Sequence, residues 1–117
     1  MEFLRHKPIF EQIAEMICKK IIEDAYPAGE RIPSVRELAG VLSVNPNTVV
    51  AAYNLLADKN IIVTQRGIGY ITTTDAKSLS KKYLENILVN DELKRVLKEL
   101  KDLGIKEEQI IKLFREI

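Results

Sequence analysis

Cysteine and histidine are almost absent from this chain, each occurring once in 117 residues. A single cysteine, Cys18, excludes a disulfide within the chain, and His6 adds too little for a Cys/His metal site within one chain. Cys18 falls inside an apolar helical pattern, which is typical of a buried core thiol, although a redox role is the alternative. We therefore expect a protein with no bound metal or other cofactor.

Long hydrophobic runs are also missing. No stretch of about 18 apolar residues occurs, so no membrane-spanning segment and no membrane partner are expected. Residues 1–10 carry charges and Pro8, and they lack the apolar centre of a signal peptide. With 46% hydrophobic and 30% charged residues, the composition is typical of a globular chain and predicts a cytoplasmic protein.

An excess of one charge is lacking as well. The formal net charge is +1. Residues 1–75 hold 8 basic and 9 acidic side chains, and residues 76–117 hold 10 basic and 8 acidic ones. Overall charge therefore does not indicate a nucleic-acid binder, and evidence for one has to come from motifs and their placement.

The first half of the chain has the pattern of three helices. The spacing of apolar residues predicts a first helix over residues 8–24, with Pro8 in its first turn and a turn at residues 26–29. Ser34 and Glu37 form a capping box that begins a second helix. Asn45 can cap a third, which has Pro46 at its first position and extends to about Asp58.

The second and third helices are joined by only three or four residues, which is typical of a helix-turn-helix. Two β-branched runs follow, at residues 61–64 and 70–73, with a glycine-bearing turn at 65–69 between them. A hairpin directly after the third helix predicts the wing of a winged helix. We therefore assign residues 1–75 to a winged helix-turn-helix DNA-binding domain.

Residues 76–117 contain one glycine and no proline, which predicts a helical tail with Gly104 as a helix end. The pattern weakens at residues 89–91, where the helix is expected to kink or split. Such a tail cannot bury its own apolar stripes, so we expect it to form a homodimer; the alternative is a tail that folds back onto its own domain. The candidate dimerisation residues are Leu79, Tyr83, Leu93, Leu97, Leu100 and Phe114.

The third helix of such a domain enters the major groove with its N-terminal end. Its exposed positions are poor in charge, which indicates modest direct readout that favours A·T pairs. For two of these residues, Asn45 and Thr48, helix capping is an equally good interpretation. The exposed positions are Asn45, Pro46, Asn47, Thr48, Val50, Ala51 and Asn54.

Two arginines stand out beside this helix. Arg36 lies in the first turn of the second helix, where the helix dipole disfavours a cation, so we expect it to contact an outside anion such as DNA phosphate or a guanine edge; simple solvation or a pair with a local Glu is the alternative. Arg66 lies at the wing tip, where Gly67 and Gly69 allow the backbone to approach the minor groove. Tyr53 is expected to bury its ring and to leave its hydroxyl free for phosphate, although core packing alone is nearly as good an interpretation.

These motifs together resemble the GntR family of bacterial regulators. The resemblance covers residues 8–75 in order and spacing, and the segment Leu-Gly-Ile-Lys-Glu-Glu at 103–108 is similar to the YtrA-type branch. One departure is that Val50 and Ala51 stand where family members often carry basic residues. The matching segments are residues 8–13 (PIFEQI), 29–39 (GERIPSVRELA), 44–49 (VNPNTV), 52–53 (AY) and 66–71 (RGIGYI).

The resemblance implies a dimer that binds palindromic double-stranded operator DNA and usually represses transcription, often beside ABC-transporter genes. A short tail also argues against a deep effector pocket, and the sequence does not identify any small-molecule effector. The DNA contacts that the resemblance implies are Ser34, Arg36, Asn47, Thr48, Tyr53, Arg66 and Gly67.

The predicted fold class is therefore mostly α with a small β-hairpin: an N-terminal winged helix-turn-helix followed by a C-terminal helical dimerisation tail. No pairing of nucleophile and base is visible, so an enzyme is not expected. The remaining alternative is a winged-helix module that binds protein or RNA.

Overall fold

The computed structural model describes residues 1–4 and 6–117, and it confirms the predicted class of helices with one small hairpin. The two strands pair in antiparallel order, with Ile62 opposite Thr72 and Gln65 opposite Gly69. The elements in chain order are α1 (Ile9–Ile22), α2 (Val35–Leu42), α3 (Pro46–Asp58), β1 (Ile62–Gln65), β2 (Gly69–Thr72), α4 (Ala76–Asn86), a π-helical segment (Ile87–Leu93), α5 (Lys94–Asp102) and α6 (Glu107–Glu116).

Helix α1 begins directly after Pro8, as the sequence predicts, and it ends two residues before the predicted limit. Asp24 has a φ of 63°, in the left-handed region, so the helix cannot continue through it. Gln12 is buried at the start of α1 and binds the segment before it: its Oε1 accepts from the Leu4 amide at 2.7 Å, and its Nε2 donates to the Lys7 carbonyl at 2.7 Å.

The helix-turn-helix is built by two side-chain caps, both predicted. The Ser34 hydroxyl accepts a hydrogen bond from the Glu37 amide at 3.1 Å and starts α2. Ser43, in the left-handed conformation, ends α2. The Asn45 Oδ1 then accepts from the Asn47 amide at 2.8 Å and starts α3, so the connection is three residues long.

The wing is a short hairpin with a four-residue turn. The Ile68 amide donates to the Gln65 carbonyl at 3.0 Å, and Gly67 takes a φ of 80° at the third position of this turn, a conformation that favours glycine. Residues 29–32 also pair with β2, because the Ile32 amide donates to the Tyr70 carbonyl at 3.0 Å. The segment that leads into α2 is thereby attached to the wing.

One compact unit extends from Met1 to Leu84, and its core is formed by side chains from α1, α2, α3, the wing and α4. This unit extends nine residues beyond residue 75, where the sequence analysis ended the DNA-binding domain. The reason is that α4 buries Ala76, Ser80 and Leu84, spaced four residues apart, in the same core. For α4, the arrangement therefore resembles the alternative in which the tail folds back onto its own domain. The buried apolar residues are Ile13, Ala14, Ile17, Cys18, Ile21, Ile32, Leu38, Ala39, Val49, Ala52, Tyr53, Leu56, Ile61, Ile62, Ala76 and Leu84.

The second unit covers Glu85–Ile117 and contains the π-helical segment, α5 and α6. The π-helical segment includes residues 89–91, where the sequence predicts a break. Gly104, with a φ of 83°, follows the end of α5 as predicted. The structure describes every residue of this unit, and none of them is buried within the chain.

Among the described residues, 1–4 and 6–117, no helix combines the length and the apolar character that a membrane span requires.

Candidate DNA-binding surface

A groove of about 320 Å³ lies between the start of α2 and the wing. It brings together three of the predicted contact residues, Ser34, Arg36 and Gly69, although they come from segments more than 30 positions apart in the chain. The groove can form because residues 29–32 pair with β2 and hold the α2 N-terminus beside the hairpin. Its lining residues are Arg31, Ser34, Val35, Arg36, Ile68, Gly69 and Tyr70.

Arg36 is exposed in the first turn of α2. Within residues 1–4 and 6–117, its guanidinium makes no ion pair, so its donors are available at a helix end where amides also point outward. A cation and unpaired helix amides in one place form a suitable surface for a phosphate group.

Arg31 and Glu37 form an exposed ion pair that the sequence analysis missed. The Arg31 Nη2 lies 2.7 Å from the Glu37 Oε1. Hydrogen bonds from Ser34, followed by the charge of Arg31, lower the pKa of the Glu37 carboxyl below its ordinary value. A basic residue three positions before a helix cap was the only available signal for this pair, and that spacing alone does not predict an interaction.

The N-terminal end of α3 presents short polar side chains. Asn47 and Asn54 are exposed, and Thr48 is half-buried. The side-chain oxygen of Asn45 is engaged in the cap, so the capping interpretation is confirmed for this residue, and its side-chain NH2 group is what it can offer to a base. Val50 is partly exposed on the same helix and can offer only apolar contact.

Tyr53 does not have the free hydroxyl expected from the sequence. The side chain is fully buried, and its hydroxyl donates to the Pro33 carbonyl oxygen at 2.6 Å. Burial raises the pKa of the Tyr53 hydroxyl above its ordinary value. The expectation of a free hydroxyl that contacts phosphate is therefore wrong, because the Tyr53 side chain is buried and its hydroxyl proton is donated to Pro33.

The wing tip exposes Arg66, Gly67, Ile68 and Gly69. An added Cβ on Gly67 would meet no atom within 4 Å, so its glycine is required by the positive φ and not by close packing. Ile68 is a large apolar side chain with nearly half of its surface exposed, and the sequence analysis did not include it among the contacts.

The candidate dimerisation residues fall into two groups. Leu79 and Tyr83 of α4 pack against the core of the first unit, and burial raises the pKa of Tyr83 to about 12. The Lys59 Nζ lies over the Tyr83 ring, 5.3 Å from its centroid, so this cation covers one face of the ring. Ala76, Ser80 and Leu84 lie on the core, and Leu79 and Tyr83 are half-buried beside them, so a dimerisation role for these two residues stays a prediction for the part of each side chain that is still exposed.

The other group lies in the second unit and stays accessible. Leu97 and Leu100 are half-buried beside a groove of about 370 Å³ that α5 and α6 share, while Leu93 and Phe114 are exposed. The chain itself thus leaves Leu93 and Phe114 largely uncovered and covers Leu97 and Leu100 in part.

The family model for bacterial regulatory proteins of the gntR family matches residues 9–71. The chain belongs to the GntR family. This match includes α1, the helix-turn-helix and most of the wing, and it confirms the resemblance seen in the sequence.

Relatives of similar length extend the GntR assignment to the tail. The HTH-type transcriptional regulator YhcF of Bacillus subtilis is 33% identical over 94% of this chain and 89% of its own length. The HTH-type transcriptional repressor YtrA of the same organism is 32% identical over 94% of this chain and 84% of its own length. A solved GntR regulator from Listeria monocytogenes is 37% identical, covers 98% of this chain and 99% of its own, and has a TM-score of 0.78.

This GntR chain is therefore a DNA-binding transcription regulator and not an enzyme. The groove between α2 and the wing lies within the segment that the family model matches.

Proposed function

We propose that this GntR chain is a homodimeric repressor that binds a palindromic operator and controls an operon encoding an ABC transporter. The observation that carries the proposal is the groove that joins Ser34 and Arg36 at the start of α2 to Gly69 of the wing. Winged helices use this combination of helix end and hairpin to grip the DNA backbone beside the recognition helix.

In this proposal, Arg36 and Arg66 bind the phosphate backbone of the DNA. Both are exposed, and they come from the two sides of the surface, α2 and the wing tip. Phosphate contacts position a protein on DNA without reading its sequence. The hydroxyl of Ser34 and the amide of Gly67 add neutral donors next to these two cations.

The N-terminal end of α3 is proposed to contact the bases. Asn47 and Asn54 can bind adenine through the side-chain amide, and Thr48 can contact a thymine methyl or a phosphate. Val50 and Ala51 replace charge with apolar surface at this helix, which favours thymine methyl groups over guanine. The proposed operator is accordingly rich in A·T pairs.

The homodimer is proposed to form through the second unit. Its large apolar side chains are exposed in the single chain, with Phe114 at 79% and Leu103 at 78% of their full accessible surface, which is typical of a surface that a partner covers. A symmetric pairing of α5 and α6 with a second copy would cover these residues. Two copies also match the two half-sites of a palindrome.

Repression is proposed from similarity to YtrA, which is described as a transcriptional repressor and matches nearly the whole chain. The target operon follows from the resemblance to the YtrA-type branch. Deletion of the gene is expected to raise the transcripts of neighbouring transporter genes; a fall in those transcripts would contradict repression.

The DNA surface is tested by selecting binding sites from a random double-stranded DNA library and titrating the selected duplex with salt. We expect an inverted repeat with half-sites about one helical turn or a small multiple apart. Arg36→Ala and Arg66→Ala are expected to weaken binding roughly ten- to hundredfold and to lower the salt slope by about one for each protomer bound. Circular dichroism serves as the folding control. Variants that fold and bind like the wild type would show that the surface is misplaced.

A further inference from the structure

Arg31 lies at the point where the wing and α2 meet. Its backbone pairs with Ile71 of β2, and the flanking Ile32 amide donates to the Tyr70 carbonyl at 3.0 Å, so the position of its Cα is set by two elements. An added Cβ on Gly69 would lie 3.9 Å from the Arg31 Nε, which shows that the side chain passes along the wing. Arg31 also lines the groove that contains Ser34 and Arg36.

Among the residues that the structure describes, the Arg31 guanidinium is bound on one side only. Its Nη2 contacts Glu37 at 2.7 Å, while the side chain keeps 53% of its accessible surface. A guanidinium has five donors in a planar fork, so a single bond through Nη2 leaves donors on Nη1 and Nε. The ion pair therefore orients Arg31 without using up its capacity for a second anion.

Glu37 places a negative charge at the start of α2, beside the groove. Its side chain is 57% exposed in the first turn of α2, close to Ser34. A negative charge there would repel a DNA phosphate that approaches the α2 N-terminus. A structural role in capping α2 accounts for Glu37, but it does not account for a cation that is held against it and along the wing.

We propose that Arg31 is a DNA-binding residue of this surface: Glu37 holds its guanidinium beside the wing, where it donates to a backbone phosphate and compensates the Glu37 carboxylate. This inference rests on the proposed function, because it requires the groove to face DNA. It adds a third cation to Arg36 and Arg66. It also gives Glu37 the role of a positioning residue, which acts on DNA only through Arg31.

The test uses the full-length protein and two labelled duplexes, the selected operator and one of mixed sequence, in fluorescence anisotropy titrations at several salt concentrations. The variants are Arg31→Ala, Arg31→Lys, Glu37→Gln and the double variant Arg31→Ala/Glu37→Gln. The matched control is Arg95→Ala, since Arg95 is also an exposed arginine paired with a glutamate, at 3.5 Å from Glu99. Circular dichroism and sedimentation establish that every variant folds and associates like the wild type.

Arg31→Ala is expected to weaken binding to both duplexes about tenfold and to lower the salt slope by about one for each protomer bound. Arg31→Lys should keep the slope and lose part of the affinity, because the charge remains and the planar fork does not. The double variant should recover part of the affinity of Arg31→Ala while keeping its lower slope. Removing the Glu37 charge ends the repulsion, but it does not restore a phosphate contact.

Two results would overturn the inference. Arg31→Ala could bind no more weakly than Arg95→Ala, which would show an effect of net charge alone. Alternatively, the double variant could regain the affinity and the slope of the wild type, which would show that Arg31 only neutralises Glu37. If the wild type binds neither duplex, the proposed function fails; if binding depends on Arg36 and Arg66 but not on Arg31, only this inference fails.

Discussion

The hydroxyl of Tyr53 donates a 2.6 Å hydrogen bond to the carbonyl oxygen of Pro33, the residue that directly precedes the Ser34 cap of α2. The Tyr53 ring also packs edge-on against Tyr70 of the wing, with centroids 4.8 Å apart and ring planes at 73°. One side chain of α3 thus contacts both elements that form the groove. Tyr53 therefore links the two elements that form the proposed DNA-binding surface.

Replacing Tyr53 by phenylalanine should destabilise the protein by about 1–2 kcal/mol, because the Pro33 carbonyl loses its donor while the ring packing remains. DNA affinity should fall modestly, and the salt slope should not change because no phosphate contact is removed. Urea unfolding and anisotropy titrations measure the two effects. Tyr26→Phe is the matched control, since Tyr26 is only half-buried. A lower salt slope for Tyr53→Phe would instead indicate direct contact with DNA.

Cys18 provides a prediction for the pH dependence of stability. Burial raises the pKa of this thiol to about 11 from an ordinary value of 9.0, so between these pH values the unfolded chain loses a proton that the folded chain keeps. Stability should therefore fall as the pH rises from about 9 to 11. Urea unfolding midpoints at pH 8 and pH 10.5 should shift less for Cys18→Ala than for the wild type. Equal shifts in the two proteins would remove Cys18 as the cause.

The thiol itself should be inert in the folded protein. Cys18 is fully buried, so a thiol reagent should label it only after denaturant is added. Rapid labelling of the native protein at pH 8 would contradict this burial.

Phe114 provides the sharpest test of the homodimer. Phe114→Lys should convert the protein to monomers in sedimentation and leave its circular dichroism unchanged, since the ring is 79% exposed and contributes little to its own unit. Val41→Lys is the matched control, because Val41 is 80% exposed on α2 and outside the second unit. If Phe114→Lys sediments as a dimer, the proposed interface does not include α6.

The local signals in the sequence predicted the elements of the winged helix well. Ser34 with Glu37, and Asn45 with Pro46, begin α2 and α3 where the sequence places them, because caps act over three residues and depend little on the rest of the fold. The glycines of the wing turn and Gly104 predict a turn and a helix end for the same reason, since their effect is local. At Gly67 and Gly104 the positive φ is a local property that glycine favours, so the residue type itself indicates the turn or helix end.

The tertiary structure alone decided which side chains meet. Tyr53 reaches Pro33 across 20 positions, and Arg31 reaches Glu37 and the wing because residues 29–32 pair with β2. Helix α4 joins the core of the first unit, although its pattern resembles that of a free dimerisation stripe. An apolar stripe specifies that a helix face is buried but not against which partner, since the hydrophobic effect has no direction.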